Sequence, residues 1–188
     1  MPKVVNSEEI TKSILGMSLK LFAQKGYNGL SMRGLAQELK MTTGTLYHYF
    51  KNKDELYQKI FTEFTLDDSQ ELLTIIENTK TFEERLDLFL EFLIKKETYF
   101  KEILLITLDA NKLTPANVNM TGFFKMAVHI YESALMKTFK LKDPAQANFI
   151  FDYLLGQFCR SILLPNTKID FKILRAYLVQ MEPKNASH

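Results

Sequence analysis

The sequence predicts an all-α fold, and three observations carry the prediction. Only seven glycines and five prolines punctuate 188 residues, too few for a turn-rich sandwich or for repeated βαβ crossovers. Leu, Phe, Lys, Glu and Met dominate, as long helices prefer. Apolar residues recur at three- and four-residue spacing through most of the chain. With 46% hydrophobic residues and 24% charged, the chain has enough apolar surface to offset ordering entropy, which excludes a disordered solvating segment. Its length suits one substantial core or two small ones. One cysteine cannot make an internal disulfide, and no N-terminal apolar run resembles a signal peptide. No stretch approaches the roughly 20 apolar residues that cross a bilayer. A cytoplasmic protein with no membrane partner is therefore expected.

The first helix opens at Asn6-Ser7-Glu8-Glu9, where an acceptor residue followed three positions later by Glu makes a capping box. Ile10, Ile14, Met17 and Leu21 then recur on one face. The helix is predicted to end near Lys25, with Gly26 at C′, where glycine turns left-handed without a Cβ penalty. Ser31 is the expected N-cap of a short helix from Met32 to Leu39. Thr42 or Thr43 caps the next, which reaches Tyr49 or Phe50. Only Lys40 and Met41 lie between, which is helix-turn-helix spacing, although a plain αα-hairpin shares it. Leu35, Ala36, Leu39, Met41, Leu46 and Phe50 supply a shared core, and Ala36 is small enough for the two helices to cross closely.

Asn52 and Glu55 form a second capping box, opening a fourth helix through Leu56, Ile60 and Phe64 toward Glu71. Further helices are predicted over 82–100, 101–109, 123–139, 145–164 and 171–181, with loops at 111–119, 142–144 and 165–166. Pro144 fits the first helical position after an Asp143 N-cap, because its missing N–H has no intrahelical partner to lose.

No constellation in the chain carries a reaction. There are three histidines and one cysteine, with no HExxH, CxxC or GxSxG motif and no glycine-rich phosphate loop. His129 and Glu132 are two potential ligands, short of a structural zinc site, and Cys159 lies among apolar residues as a packed thiol would. No catalytic residue, metal or cofactor is expected.

The charge points elsewhere. Residues 1–60 hold nine Lys/Arg against five Asp/Glu, while the remainder is slightly acidic, so the basicity is local. Outside the apolar stripe of the third helix lie the side chains that nucleic-acid recognition uses. Thr43 and Thr45 offer hydroxyls and methyls, Tyr47, His48 and Tyr49 flat donor-bearing groups, and Lys51 and Lys53 charge. Inserted by its N-terminal end into a major groove, this helix would bring Thr43, Gly44 and His48 to base edges. Tyr47 and Tyr49 cannot both face inward from a regular helix.

The run from Leu30-Ser31-Met32-Arg33-Gly34-Leu35-Ala36, through Met41-Thr42-Thr43-Gly44-Thr45-Leu46-Tyr47-His48-Tyr49-Phe50, to Lys51-Asn52-Lys53-Asp54-Glu55-Leu56 resembles the DNA-binding domain of the tetracycline-repressor (TetR-type) family of bacterial transcriptional regulators. The resemblance covers 8–60. It implies a three-helix helix-turn-helix DNA-binding domain, residues 1–53, joined by a fourth helix to a larger helical ligand-binding and dimerisation domain, residues 54–188. It places Ser31 and Thr42 near phosphates, Arg33 at a base or the backbone, Thr43, Gly44, Tyr47 and His48 on the groove-facing surface, and Tyr49 and Lys53 at phosphates. The implied partners are a second copy of the chain, a palindromic double-stranded DNA operator and a small-molecule effector that relieves repression. Many members have glycine in the turn where this chain has Lys40. A left-handed Lys40 would cost about 1 kcal/mol.

For the effector, the aromatic middle helices suggest an apolar or aromatic compound. Phe89, Phe92 and Phe123 are the candidate walls, and Asp109, His129, Gln157 and Arg160 the candidate polar anchors. Gly156 suits a close helix approach, either across a dimer interface or within the chain. The competing reading is a helical small-molecule or lipid-binding dimer without a DNA-reading function.

Overall fold

The structure, a computed structural model, describes residues 7–112 and 118–181. Among the described residues there are nine helices: α1 (Ser7–Lys25), α2 (Met32–Glu38), α3 (Thr43–Tyr49), α4 (Lys53–Ile76), α5 (Phe82–Lys95), α6 (Glu97–Lys112), α7 (Val118–Phe139), α8 (Pro144–Leu163) and α9 (Lys172–Gln180). None of them is long and apolar enough to cross a membrane. The Asn6 acceptor expected to cap α1 lies outside the described residues.

Described residues up to Phe64, with those from Glu102 to Phe124, make one compact unit. The second comprises residues from Thr65 to Lys101 and from Lys125 onward. Helices α4, α6 and α7 each contribute residues to both.

The first unit buries Ile14, Leu15, Leu19 and Phe22 of α1 with Leu35 and Ala36 of α2, Leu46 of α3, and Leu56, Tyr57 and Ile60 of α4. Leu104, Ile106 and Ala110 of α6 belong to the same core. At about 1.5–3 kcal/mol for each fully buried large apolar side chain, this packing, more than helix propensity, holds the short α2 and α3 in place. Caps fix their ends. Ser31 Oγ accepts the Gly34 amide at 3.1 Å, and Thr42 Oγ1 accepts the Thr45 amide at 3.0 Å. Gly26 ends α1 at φ +76, its amide donating to Phe22 O at 2.8 Å.

Lys40 stands at φ 56, in the left-handed region. Its amide donates to Gln37 O at 3.1 Å and that of Met41 to Ala36 O at 3.0 Å, the paired bonds of a Schellman motif built without glycine. Lys140 repeats the device after α7 at φ 52, with Leu141 donating to Met136 O at 3.0 Å.

The second unit packs Phe82, Leu86, Phe89 and Phe92 of α5 with Ala134, Leu135 and Phe139 of α7, Ile150, Leu154 and Phe158 of α8, and Leu174 and Leu178 of α9. As expected, Asp143 caps α8 and Pro144 is its first residue. Between 82 and 112 the structure departs from the prediction. The break falls at Lys96, not after Phe100, and α6 is a full helix of 16 residues. Neither Gly nor Pro marks this break; the Lys96 ammonium is drawn inward to Asp68 and Glu71 of α4.

Lys40→Gly and Lys140→Gly are each expected to stabilise the chain by about 1 kcal/mol, because glycine enters the left-handed region without the Cβ penalty. Urea denaturation of each variant beside the parent chain measures it, and a fall in midpoint would contradict the strain argument.

Candidate nucleic-acid interface

Of the groove-facing set that the resemblance implies, α3 exposes Gly44, Tyr47 and His48. Leu46 and the following Phe50 face inward with exposures of 0% and 1%, which turns Gly44, Tyr47 and His48 outward. Tyr47 is 50% exposed, and Tyr49, half-buried, has its ring edge-on to His48 at 5.4 Å between centroids. Thr43 is half-buried beside exposed Thr42 and Thr45. The Thr42 and Thr45 hydroxyls lie 2.8 Å apart and share a hydrogen bond. Ser31 and Arg33 are exposed at the start of α2. Because Ser31 Oγ already accepts an amide, its hydroxyl proton is the group left to donate to an anion.

The mouth of α4 is capped in a modified way. Asn52 Oδ1 accepts the Glu55 amide at 2.7 Å, while the Glu55 carboxylate reaches back past Asn52 to the Lys51 amide at 2.7 Å. Lys51 and Asn52 are exposed, as is Lys40.

Lys53 is engaged inward. Its Nζ donates to the carbonyls of Tyr27 at 2.8 Å and Leu30 at 2.9 Å and lies 4.2 Å from the Tyr27 ring centre. Burial lowers its pKa, against the pull of Asp54 and Asp109. The Tyr27 hydroxyl donates to Asp54, and burial followed by that bond and charge raises its pKa far above the ordinary tyrosine value. Two of the three ammonium protons of Lys53 thus hold the α1–α2 turn, a role that spacing alone did not reveal.

The residues proposed to line an effector site are divided between the two units. Phe89 is a core residue, 5.1 Å edge-on to Phe139, and Phe92 is buried in the same unit. His129 and Arg160 are exposed and Gln157 is half-buried. Phe123 and Asp109 belong to the first unit, where Asp109 is bound to Asn28 across 81 positions. Among the described residues no group of three or more His, Cys, Asp or Glu side chains comes together as a metal site would require.

Instead, the polar focus of the second unit is Asp68, 2% exposed, which accepts hydrogen bonds from Lys96, from Tyr131 at 3.0 Å and from Tyr99. Lys96 also pairs with Glu71 at 2.6 Å. Burial pushes the Asp68 carboxyl up even against these donors. Burial alone would lower the Lys96 ammonium, but its bonds to Asp68 and Glu71 outweigh it and raise the pKa. Phe92, Tyr99, Phe100, Tyr131, Phe151 and Phe158 form a chain of ring contacts around this group. Of these rings, only Phe92 was among the candidate walls from the sequence. Asp68 and Glu71 carried only the weak signal of two carboxylates three apart on one helix, and Lys96 carried none.

Lys53→Ala is expected to destabilise the first unit by about 1.5–3 kcal/mol, the range for hydrogen bonds to a charged group. Denaturation followed through the Tyr27 environment measures it, and an unchanged midpoint would remove Lys53 from this role.

Residues 14–60 match the family model of bacterial regulatory proteins, tetR family. An uncharacterized HTH-type transcriptional regulator of Bacillus subtilis, YuxN, is 43% identical over 63 residues, 29% of this chain and 22% of that protein. The biofilm operon icaADBC HTH-type negative transcriptional regulator IcaR of Staphylococcus epidermidis is 30% identical over 46 residues, 24% of this chain and 25% of that one. The chain thus matches only about a quarter of the length of these curated relatives. In fold the likeness extends throughout: a TetR transcription regulator from Haloarcula marismortui superposes with a TM-score of 0.74 at 16% identity, covering 93% of this chain and 97% of the other. Over residues 14–60, therefore, this chain is similar to the bacterial regulatory proteins of the tetR family.

Proposed function

We propose that the chain is a sequence-specific DNA-binding transcriptional regulator, acting as a homodimeric repressor released by a small apolar or aromatic effector. The observation that carries the reading is the α2–α3 helix-turn-helix, whose solvent face offers Gly44, Tyr47 and His48 beside the Thr42–Thr45 hydroxyls. Arg33, Lys40 and Lys51 are exposed on the elements flanking α3. On this reading Thr43, Gly44, Tyr47 and His48 meet base edges, while Ser31, Arg33, Thr42, Tyr49 and Lys51 hold phosphates. Lys53 acts chiefly by fixing the head. Repression is supported by the negative regulation that the name of IcaR describes. A protein seated on promoter DNA also occludes other proteins.

The homodimer is supported by an apolar stripe on α8. Phe149, Gly156 and Leu163 recur at seven-residue spacing on one face, with Phe149 48% and Leu163 78% exposed. A Cβ placed on Gly156 would meet nothing within 4 Å, so a close crossing within the chain does not require this glycine, and an approaching helix from a second copy would. Ile173, 71% exposed on α9, adds to the apolar surface. Two such heads related by a twofold axis suit a palindromic operator.

The effector is assigned to the second unit, where aromatic rings give apolar walls and the Asp68–Lys96 network gives polar groups that a ligand could exchange bonds with. Such exchange supplies the differential affinity that a population shift requires. Helix α4, with residues in both units, is the continuous covalent route for it.

Binding to operator DNA selected by the wild-type protein from genomic fragments tests the reading. His48→Ala is expected to lose about 1–3 kcal/mol of discrimination, whereas Lys51→Ala weakens binding to every sequence and lowers the salt slope by about one. Absence of any salt-sensitive, sequence-preferring complex would reject DNA reading and favour the small-molecule-binding alternative. For the dimer, Leu163→Lys combined with Ile173→Lys is expected to shift sedimentation from dimer to monomer with helicity retained. A sedimentation coefficient unchanged from the parent would place the interface elsewhere.

A further inference from the structure

We infer that Asp109, near the end of α6, is a positioning residue for DNA binding: it clamps the α1–α2 turn and thereby sets where α2 and α3 stand. The inference rests on the DNA-binding reading above and adds to it a segment remote in sequence from the helix-turn-helix.

Three observations within the first unit carry it. Asp109 Oδ2 accepts the Asn28 backbone amide at 3.1 Å, and Asn28 Nδ2 donates to the Asp109 carbonyl at 2.6 Å, a reciprocal pair 81 positions apart. The turn is shaped to admit that carboxylate. Gly26 is left-handed, and a Cβ there would sit 2.9 Å from Asp109 Oδ2. At Gly29 a Cβ would sit 2.3 Å from Lys25 O, so the turn closes too tightly for a side chain at either end of the Tyr27-Asn28 pair. Finally, the same turn is held through its carbonyls by Lys53, which feels the Asp109 charge.

The turn is thus gripped by its amide from α6 and by its carbonyls from α4. It leads directly through Leu30, whose carbonyl is one of those held, to Ser31, the N-cap of α2. Displacing Asn28 displaces the start of α2, and α3 follows through the core that the two helices share. A clamp of this kind reads no bases, so its loss lowers affinity for all sequences by a common factor and leaves the ratio between operator and random DNA intact.

The test uses the full-length chain with Asp109→Ala, Asp109→Asn and Asn28→Ala, and two readouts. Amide hydrogen exchange without DNA is expected to quicken by about tenfold at 27–31 in Asp109→Ala while α8 is unchanged, with Asp109→Asn intermediate because its amide oxygen can still accept. Affinity for the operator selected by the wild type is expected to fall by about tenfold in Asp109→Ala with the operator-to-random ratio preserved. The exposed Asn28→Ala, which keeps the backbone donor and removes one bond, shows a smaller change of the same kind. Unaltered exchange at 27–31 would overturn the clamp. Faster exchange with operator affinity within about twofold of wild type would overturn its role in positioning. A wild-type protein that binds no DNA fragment would reject the DNA reading itself, an outcome separate from both.

Discussion

The half-buried Lys53 ammonium ties the start of α4 to the turn before α2. Withdrawing a cation from water without acceptors is costly, and here the acceptors are two main-chain carbonyls, of Tyr27 and Leu30, reinforced by the face of the Tyr27 ring. For both carbonyls to converge on one nitrogen the chain must double back between α1 and α2. That requirement explains glycine at 26 and at 29, where a Cβ would meet Asp109 or the Lys25 carbonyl. It also explains why Tyr27 is buried with its hydroxyl on Asp54, the neighbour of Lys53 on the first turn of α4. A single residue therefore joins the start of α4 to the start of α2, and the angle at which α3 is presented depends on it.

What could be read from the sequence was whatever chemistry acts within about four residues. Ser31, Thr42, Asn52 and Asp143 cap helices because their side chains reach amides two or three positions on, and Gly26 ends α1 because the adjacent backbone demands it. The faces of α2 and α3 followed from their spacing. Bonds across 23, 26, 28, 63 and 81 positions leave no local trace. The phosphate role expected of Lys53 came from the family resemblance, and its partners on the preceding turn were out of view of local spacing. The break at Lys96 was missed because neither Gly nor Pro marks it, and the carboxylates that hold its ammonium lie on another helix.

The Asp68 network plays in the second unit a part comparable to that of Lys53 in the first, with a different energetic balance. An ion pair this buried contributes little net stability, since desolvation offsets most of the attraction. What it supplies is uniqueness. Asp68 accepts from α5's C-cap residue Lys96, from Tyr99 of α6 and from Tyr131 of α7, so a single carboxylate of α4 ties three further elements together by directional bonds. The opposed shifts reflect this. Burial lifts Asp68, whereas Glu71, far less buried, is lowered first by its bond to Lys96. In linkage terms a raised carboxyl favours the native state at low pH and a lowered one favours it above the unfolded pKa, so the two partly cancel on acidification.

The local basicity of the first 60 residues also takes a sharper form once the partners are placed. Of its cations, Lys53 is spent on carbonyls and Lys25 pairs with Glu38, leaving Arg33, Lys40 and Lys51 exposed on or beside the helix-turn-helix. On the proposed DNA-binding reading these cations would meet phosphates, and discrimination would rest on short, directional contacts, for which α3 supplies hydroxyls, Gly44 and the Tyr47 and His48 rings, with no arginine among them. Contacts of this kind depend steeply on distance and angle. On the proposed reading, that dependence is why internal clamps such as the Lys53 ammonium would bear on recognition, by setting where α3 stands.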